Sequence, residues 1–280
     1  MQEFSGKVAV VTGGASGIGY ALAAQAVREG MRVVLADIEA DALDAAAQQL
    51  RATGGQVLAV RTDVADAAAV MALAERTQAT YGGVHLLFNN AGVGNAGNIW
   101  EQSEAGWQWV LGVNLWGVIH GIRAFVPAML VQGTECHIVN TASAAGLVSA
   151  GALGIYAISK HAVVALSETL AYQLARQGAA IGVSVLCPEF VQTRLGDAER
   201  NRLPTSPADA SVASLASSPP SAWGEGAVAQ AVRAAIAAGI APETVAAATF
   251  AAIRAGKLYI LTHPETKARV RVRLERIVAD

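Results

Sequence analysis

The chain has 280 residues, 53% of them hydrophobic and 15% charged, with a net charge of −2 at pH 7. That length fits one large domain or two small ones, and a composition rich in Ala, Gly and Val fits a sheet buried on both faces better than a disordered or coiled-coil chain. No basic block gives nucleic acid an electrostatic footing, no apolar run is seen to approach the ~20 residues of a membrane span, and "MQEFSGK" leads into the first strand with no signal peptide. Cys136 and Cys187 lie in strand-like apolar runs and read as buried thiols, which makes the reducing cytoplasm the expected location.

In chain order, "KVAVVT", "RVVLAD", "QVLAVRTDV", "VHLLFNNAG", "CHIVNTAS" and "IGVSVLCPE" read as strands. Helical segments fall between them at 17–30, 39–53, 66–81, 103–132 and 154–178. A seventh strand, "KLYILT", comes late and is followed by a polar helix from Pro264 to the C-terminus. Alternation of this kind predicts an α/β fold: a doubly wound, seven-stranded parallel sheet with helices on both faces, a three-layer sandwich. The Ser-, Pro- and Ala-rich stretch 194–226 breaks the pattern before a helix beginning near Gly226. Because the sheet resumes afterwards, it reads as a lid-like insertion in a single domain spanning 1–280.

"TGGASGIGYALAA" joins the first strand to the first helix. Gly13, Gly17 and Gly19 let the main chain approach a pyrophosphate closely, and the helix start behind them offers free N–H donors with about half a positive charge. Strand before and helix after give this glycine pattern its weight. Asp37, at the end of the second strand, is placed to accept hydrogen bonds from the adenosine ribose and to repel the extra phosphate of NADP. Two like charges ~4 Å apart cost on the order of 4 kcal/mol at a surface-like dielectric. Ser16 and Ile38 occupy the places where a compensating cation would stand, so NAD is favoured. Asp63, in "TDV" with Val64, either meets the adenine amino group or serves as a helix N-terminal acid.

"TGGASGIG", "NNAG" at 89–92, Asn114 in "VNLWG", Ser143 in "NTASAAG" and "YAISK" at 156–160 resemble, in order and spacing, the motifs of the short-chain dehydrogenases/reductases. The resemblance covers about residues 5–193 and returns at "LYILT"; it implies a Rossmann-type NAD(P)-binding oxidoreductase. A free tyrosine with pKa near 10 needs roughly 4 kcal/mol to become a base at pH 7. Lys160, one helical turn from Tyr156 on the same face, together with the positive nicotinamide, can supply it. Ser143 would hydrogen-bond the substrate oxygen. By resemblance, Lys160 also binds the nicotinamide ribose and Asn114 holds a water in a relay to Lys160. The expected catalytic set is thus Asn114, Ser143, Tyr156 and Lys160. The expected cofactor set is Gly13, Ser16, Gly17, Ile18, Gly19, Asp37, Ile38, Asp63, Val64, Asn90, Ala91, Gly92, Tyr156, Lys160, Pro188, Val191 and Thr193. The histidines, His85, His120, His137, His161 and His263, show no ligand spacing, and no metal is expected.

After the sixth strand the family commonly shows P-G-x-V-x-T; "PEFVQT" puts Glu189 in place of the glycine and leaves the local turn in question. The strand-end loops supply Val93, Gly94, Ala144, Leu147, Leu153, Phe190 and Leu195, with Arg194 and Glu189 as the nearby charges. These features predict a neutral, bulky, hydrophobic secondary alcohol or its ketone as substrate. Trp223 either caps the pocket or anchors packing. By family resemblance, the helices at 103–132 and 154–178 pair between subunits, making a homo-oligomer, dimer or tetramer. A non-catalytic NAD(H) sensor or scaffold is the alternative, disfavoured by the complete Ser, Tyr and Lys set.

Overall fold

The computed structural model describes residues 1–149, 151–202 and 227–279. Its centre is a sheet of seven parallel strands: β1 (Val8–Thr12), β2 (Arg32–Asp37), β3 (Val57–Arg61), β4 (Leu86–Asn89), β5 (Cys136–Thr141), β6 (Ile181–Leu186) and β7 (Tyr259–Ile260). They lie in the order β3-β2-β1-β4-β5-β6-β7. The order reverses between β1 and β4, and a doubly wound sheet opens its ligand crevice there, beyond the carboxyl ends of the strands.

Side chains alternate across each strand, so β1 divides between the two outer layers. Ala9 and Val11 pack with Val33 and Leu35 of β2 against helices α1 (Gly17–Arg28), α2 (Ala40–Ala52) and α8 (Pro242–Arg254). Val8 and Val10 face the other layer, formed by α3 (Ala67–Tyr81), α5 (Gly117–Gln132) and α6 (Gly154–Arg176). Phe250 of α8 lies between Phe4 and Phe88, with ring centroids 5.0 and 5.9 Å away, and locks the first layer onto β4. Local chemistry sets the helix ends: Asp66 caps α3 by accepting from the Ala68 N–H, and Gly82, at φ 76°, ends it in a left-handed turn, a conformation costly for residues with a Cβ.

The expected elements appear with boundaries shifted by a few residues, and four features differ. The segment expected as one helix at 103–132 is α4 (Glu104–Leu111), a π-helical turn at Gly112–Trp116, then α5. This continuous run, Glu104–Gln132, is long and apolar enough by length and composition to cross a membrane, contrary to the sequence expectation; half of its most apolar stretch is buried within the fold, as befits a core helix. Second, the helix expected from Gly226 is two helices, α7 (Ala227–Ala237) and α8. They break at Gly239, where a Cβ would lie 2.4 Å from the Phe190 carbonyl oxygen, and α8 restarts on Pro242, whose fixed φ suits a first helical turn. Third, β7 has two residues instead of six. Finally, Arg194–Asn201 at the start of the expected insertion forms a 3₁₀ helix, while 203–226, with Trp223, lie outside the described residues. The C-terminal helix, α9, spans Thr266–Ala279.

Candidate active site

One cavity of about 520 Å³ lies beyond the carboxyl ends of the strands, and its wall contains every residue of the expected catalytic and cofactor sets except Asn114. Its β1–α1 end is tight. Gly13 and Gly17 have φ of +63° and +54°; a Cβ on Gly13 would come 2.8 Å from Ala91 Cα, and one on Gly19 would lie 1.9 Å from the Gly13 carbonyl oxygen. No side chain but hydrogen fits these positions, which leaves bare backbone and the start of α1 facing the cavity. That cradle fits a pyrophosphate. Thr193 packs over Gly17, its Cγ2 3.0 Å from where a Cβ would stand, so the segment after β6 closes on the cradle.

The loop after β4 is pinned to its neighbours. The Thr12 hydroxyl accepts from the Asn90 and Ala91 N–H groups at 2.9 and 3.1 Å, and the Thr141 hydroxyl donates to Asn90 Oδ1 at 3.2 Å. Asp37 accepts from the backbone N–H of Ala15 and Glu39 at 3.0 and 3.1 Å. Burial pushes its carboxyl up against those bonds. Asp63 accepts from the Ala65 N–H at 2.9 Å; the cap of α3 is Asp66, so Asp63 is left to the cavity wall.

At the catalytic end, α6 brings Tyr156 and Lys160 to the end of β5. Both are almost fully buried. Lys160 Nζ donates to the Thr141 carbonyl at 2.8 Å and stands 5.6 Å from the centroid of the Tyr156 ring. Burial lowers Lys160 to about 8. Burial also raises the Tyr156 phenol, opposed by its hydrogen bond with Ser143. Ser143 caps the 3₁₀ turn Ala144–Gly146 by accepting from the Ala145 N–H at 3.1 Å, and its hydroxyl donates to the Pro188 carbonyl at 3.3 Å. Cys187, the residue before Pro188, is pushed up to about 12 by burial and stays a neutral thiol; both cysteines are free and buried.

Asn114 stands behind the wall, fully buried in the π-helical turn. Its Oδ1 accepts from the Val93 N–H at 2.8 Å, and its Nδ2 donates to the Val93 carbonyl and to Ser159 Oγ at 3.0 and 3.1 Å. Gly92 separates it from Lys160: a Cβ there would lie 3.4 Å from Asn114 Oδ1 and 3.5 Å from Lys160 Nζ. π-turns often mark functional sites because they re-aim one side chain; here the turn aims an amide at the loop carrying Gly92.

Of the apolar positions expected around the substrate, Val93, Ala144, Leu153, Phe190 and Leu195 line the cavity; Gly94 and Leu147 do not. The wall also contains Trp109, Val148, Ala198, Val232 and Ile236. Val232 and Ile236, one turn apart on α7, were not among the expected positions, although a spacing of four puts them on one helical face. The expectation that Arg194 and Glu189 are the only charges nearby does not hold, because Glu39, Arg200 and Arg269 also line the cavity. Nor is the Asp37 side without cations. Arg200 reaches Glu39 at 2.8 Å and Arg194 lies 3.7 Å from it. Burial alone would raise Glu39, yet Arg200 and then Arg194 outweigh it and hold the carboxyl below its ordinary range.

Glu189 does not strain its turn, since no residue other than glycine has positive φ among those described. Its N–H meets His263 Nδ1 at 3.3 Å, its Oε1 accepts from the Thr266 hydroxyl at 2.6 Å, and its Oε2 faces Arg269 Nη1 at 3.1 Å. The residue that replaces the expected glycine therefore docks α9 beside the cavity.

A phosphate cradle, an acid at the end of β2, and a buried Ser, Tyr and Lys in one crevice are the marks of a dinucleotide-dependent oxidoreductase site. The family model for short chain dehydrogenases matches residues 7–203. The chain is 35% identical to a CLA biosynthesis dehydrogenase/reductase of Lactiplantibacillus plantarum over 285 residues, all of this chain and 96% of the relative. It is 43% identical to a 1-deoxy-11-beta-hydroxypentalenate dehydrogenase of Streptomyces avermitilis over 187 residues, 66% of this chain and 68% of the relative. Among solved structures, a short chain dehydrogenase/reductase from Burkholderia phymatum in complex with NAD superposes with a TM-score of 0.92 at 47% identity, over 100% of this chain and 96% of that one. The chain belongs to the short-chain dehydrogenase/reductase family of Rossmann-fold oxidoreductases.

Proposed function

We propose that the protein is an NAD-dependent dehydrogenase/reductase that interconverts a bulky, mainly apolar secondary alcohol and its ketone. The observation that carries this reading is the convergence of Ser143, Tyr156 and Lys160 in one cavity with the glycine cradle. Gly13, Ser16, Gly17, Ile18 and Gly19 would hold the pyrophosphate, and Asp37 with Ile38 the adenosine ribose. Asp63 and Val64 would flank the adenine; Asn90, Ala91, Gly92, Pro188, Val191 and Thr193 would hold the nicotinamide half. When bound, NAD supplies the hydride acceptor for oxidation and the hydride donor for reduction.

Tyr156 takes the alcohol proton during oxidation and returns it in reduction. In the buried site its phenol alone is too basic a proton holder, so phenolate must be stabilised by at least about 4 kcal/mol to serve near pH 7. The Lys160 ammonium, fixed by Thr141, and the Ser143 hydroxyl provide stabilisation where little water screens them. Asn114 fixes the Val93 backbone and would hold the relay water toward Lys160. Val93, Leu153, Phe190 and Leu195 favour an apolar body around the reacting carbon.

Asp37 supports NAD over NADP, and the bound NAD of the Burkholderia structure agrees with it. Two free cysteines fit a reducing cytoplasm. We read the chain as one domain that self-associates through its outer helices, where Trp116, Val131 and Tyr172 are exposed at 50%, 90% and 77%. Replacing Tyr156 by Phe tests the assignment: turnover should fall by at least about 10²-fold, the lower scale of general acid–base catalysis, with NADH binding retained. Equal turnover would refute it, and a wild type that binds NADH but turns nothing over would favour the sensor reading.

A further inference from the structure

The cations around the cavity are not equally committed. Lys160 is held at the catalytic end by the Thr141 carbonyl, and Arg194 and Arg200 share Glu39 on the adenosine side. Arg269 also lines the wall, 3.1 Å from Glu189. It belongs to α9, whose sequence TKARVRVRLERIVA carries five cations, Lys267, Arg269, Arg271, Arg273 and Arg276, against Glu275 alone. This concentration stands out in a chain whose net charge is −2.

Positions 269 and 273 fall on one helical face; Arg269 lines the cavity, and Arg273 stands one turn further along, just outside its wall. Arg273 Nη1 donates to the Leu147 carbonyl at 3.2 Å, beside Val148 of the wall. Among the described residues Arg273 has no carboxylate within ion-pair distance. Glu189 pairs with Thr266 and Arg269 instead. Glu189, Arg269 and Arg273 together carry one net positive charge beside the apolar positions Val148 and Phe190 of the wall. A guanidinium presents a planar fork suited to carboxylates, and a single residual charge matches a monoanion better than a dianionic phosphate.

We propose that the substrate carries a carboxylate at the end remote from its reacting carbon, and that Arg269 and Arg273 recognise it at the cavity rim. This rests on the proposed alcohol/ketone chemistry and replaces the neutral substrate expected from the sequence with one that is charged at its far end. It also explains why the C-terminal helix is tied down at the cavity by Glu189: the tie sets the register of the arginine row against the chamber.

The test compares lithocholate with its methyl ester, and a secondary hydroxystearate with its methyl ester, as substrates of the full-length protein with NAD⁺. The acid should exceed its ester in kcat/KM by about tenfold or more, the scale of one charge-assisted hydrogen bond, with the difference lying mainly in KM. Arg273→Met and Arg269→Gln should each bring the acid-to-ester ratio toward one. Arg271→Gln removes the same charge from a position off this face and should move the ratio less than about twofold if the contact is local. Equal use of acid and ester by the wild type, or a ratio that survives both Arg273→Met and Arg269→Gln, would overturn the inference while leaving the alcohol reaction intact. If none of the four compounds turns over, the reaction assignment is what fails; binding of the same pairs to NADH-loaded protein, followed by nicotinamide fluorescence, then decides the carboxylate site on the same ratio.

Discussion

Replacing Glu189 by Ala removes the acceptor of a hydroxyl that has no other outlet. Thr266 is fully buried, and its hydroxyl donates to Glu189 at 2.6 Å. Stranding a buried donor costs about 1–3 kcal/mol. The ion pair with Arg269 adds less, because Arg269 is 48% exposed and such pairs contribute about 0–1 kcal/mol. The expected destabilisation is therefore about 1–4 kcal/mol for Glu189→Ala. Glu189→Gln should lose only about 1 kcal/mol, since its amide oxygen still accepts from Thr266. Thr266→Val removes the other partner, and the double variant should be less destabilised than the sum of the singles by about 1 kcal/mol, as expected for residues in direct contact. Urea unfolding of the four variants without cofactor measures this, with unchanged m-values showing that only stability has moved. Additive effects, or a Glu189→Ala variant within about 0.5 kcal/mol of wild type, the range of ordinary surface substitutions, would refute the role given to this carboxylate.

Two further predictions concern charge. Asp37→Ser should lower the preference for NAD over NADP, measured as the ratio of kcat/KM values, by at least about tenfold, because the carboxylate is worth on the order of 4 kcal/mol against a nearby phosphate charge; an unchanged ratio would mean that Arg200 and Arg194 set cofactor choice instead. His137 is lowered from 6.5 to about 4 by burial, with Nε2 2.8 Å from Ser184 Oγ. Between those two values the unfolded chain binds the proton and the folded chain does not, so the stabilising contribution is complete above pH 6.5 and is lost as the pH falls toward 4. The loss should reach about 2 kcal/mol by pH 5. Urea midpoints at pH 7 and 5 should converge in His137→Gln, and an equal pH slope in both proteins would contradict the assignment.

Contacts along the chain were legible and contacts across it were not. The alternation of β-branched runs with Ala-rich helices predicts the sheet because each strand announces its own period and burial. Tyr156 and Lys160 are readable as a pair because helix geometry alone puts them on one face, and the glycine cradle because strand, turn and helix adjoin. By contrast, Glu189 meets Thr266 across 77 residues and Arg200 meets Glu39 across 161. Neither pairing leaves a local mark, and so the chamber read as less charged than it is. Asn114 marks a third kind of limit. Its place in the motif pointed to the site, but whether its amide would line the cavity or support the loop behind it depended on a π-turn that the apolar pattern "WVLGVNLWGV" does not declare. The break between α7 and α8 had a signal in Gly239 and Pro242, whereas the shortness of β7 depends on how little of β6 remains to pair with it.

The measurement that bears most directly on the account is NADH formation by the purified protein supplied with NAD⁺, or separately with NADP⁺, and a series of secondary alcohols running from small aliphatic to aryl, terpenoid and steroid compounds. The site described here predicts turnover with NAD⁺, rising with the apolar bulk of the alcohol and lost in Tyr156→Phe. A preference for NADP⁺, or turnover by Tyr156→Phe equal to that of the wild type, would contradict it.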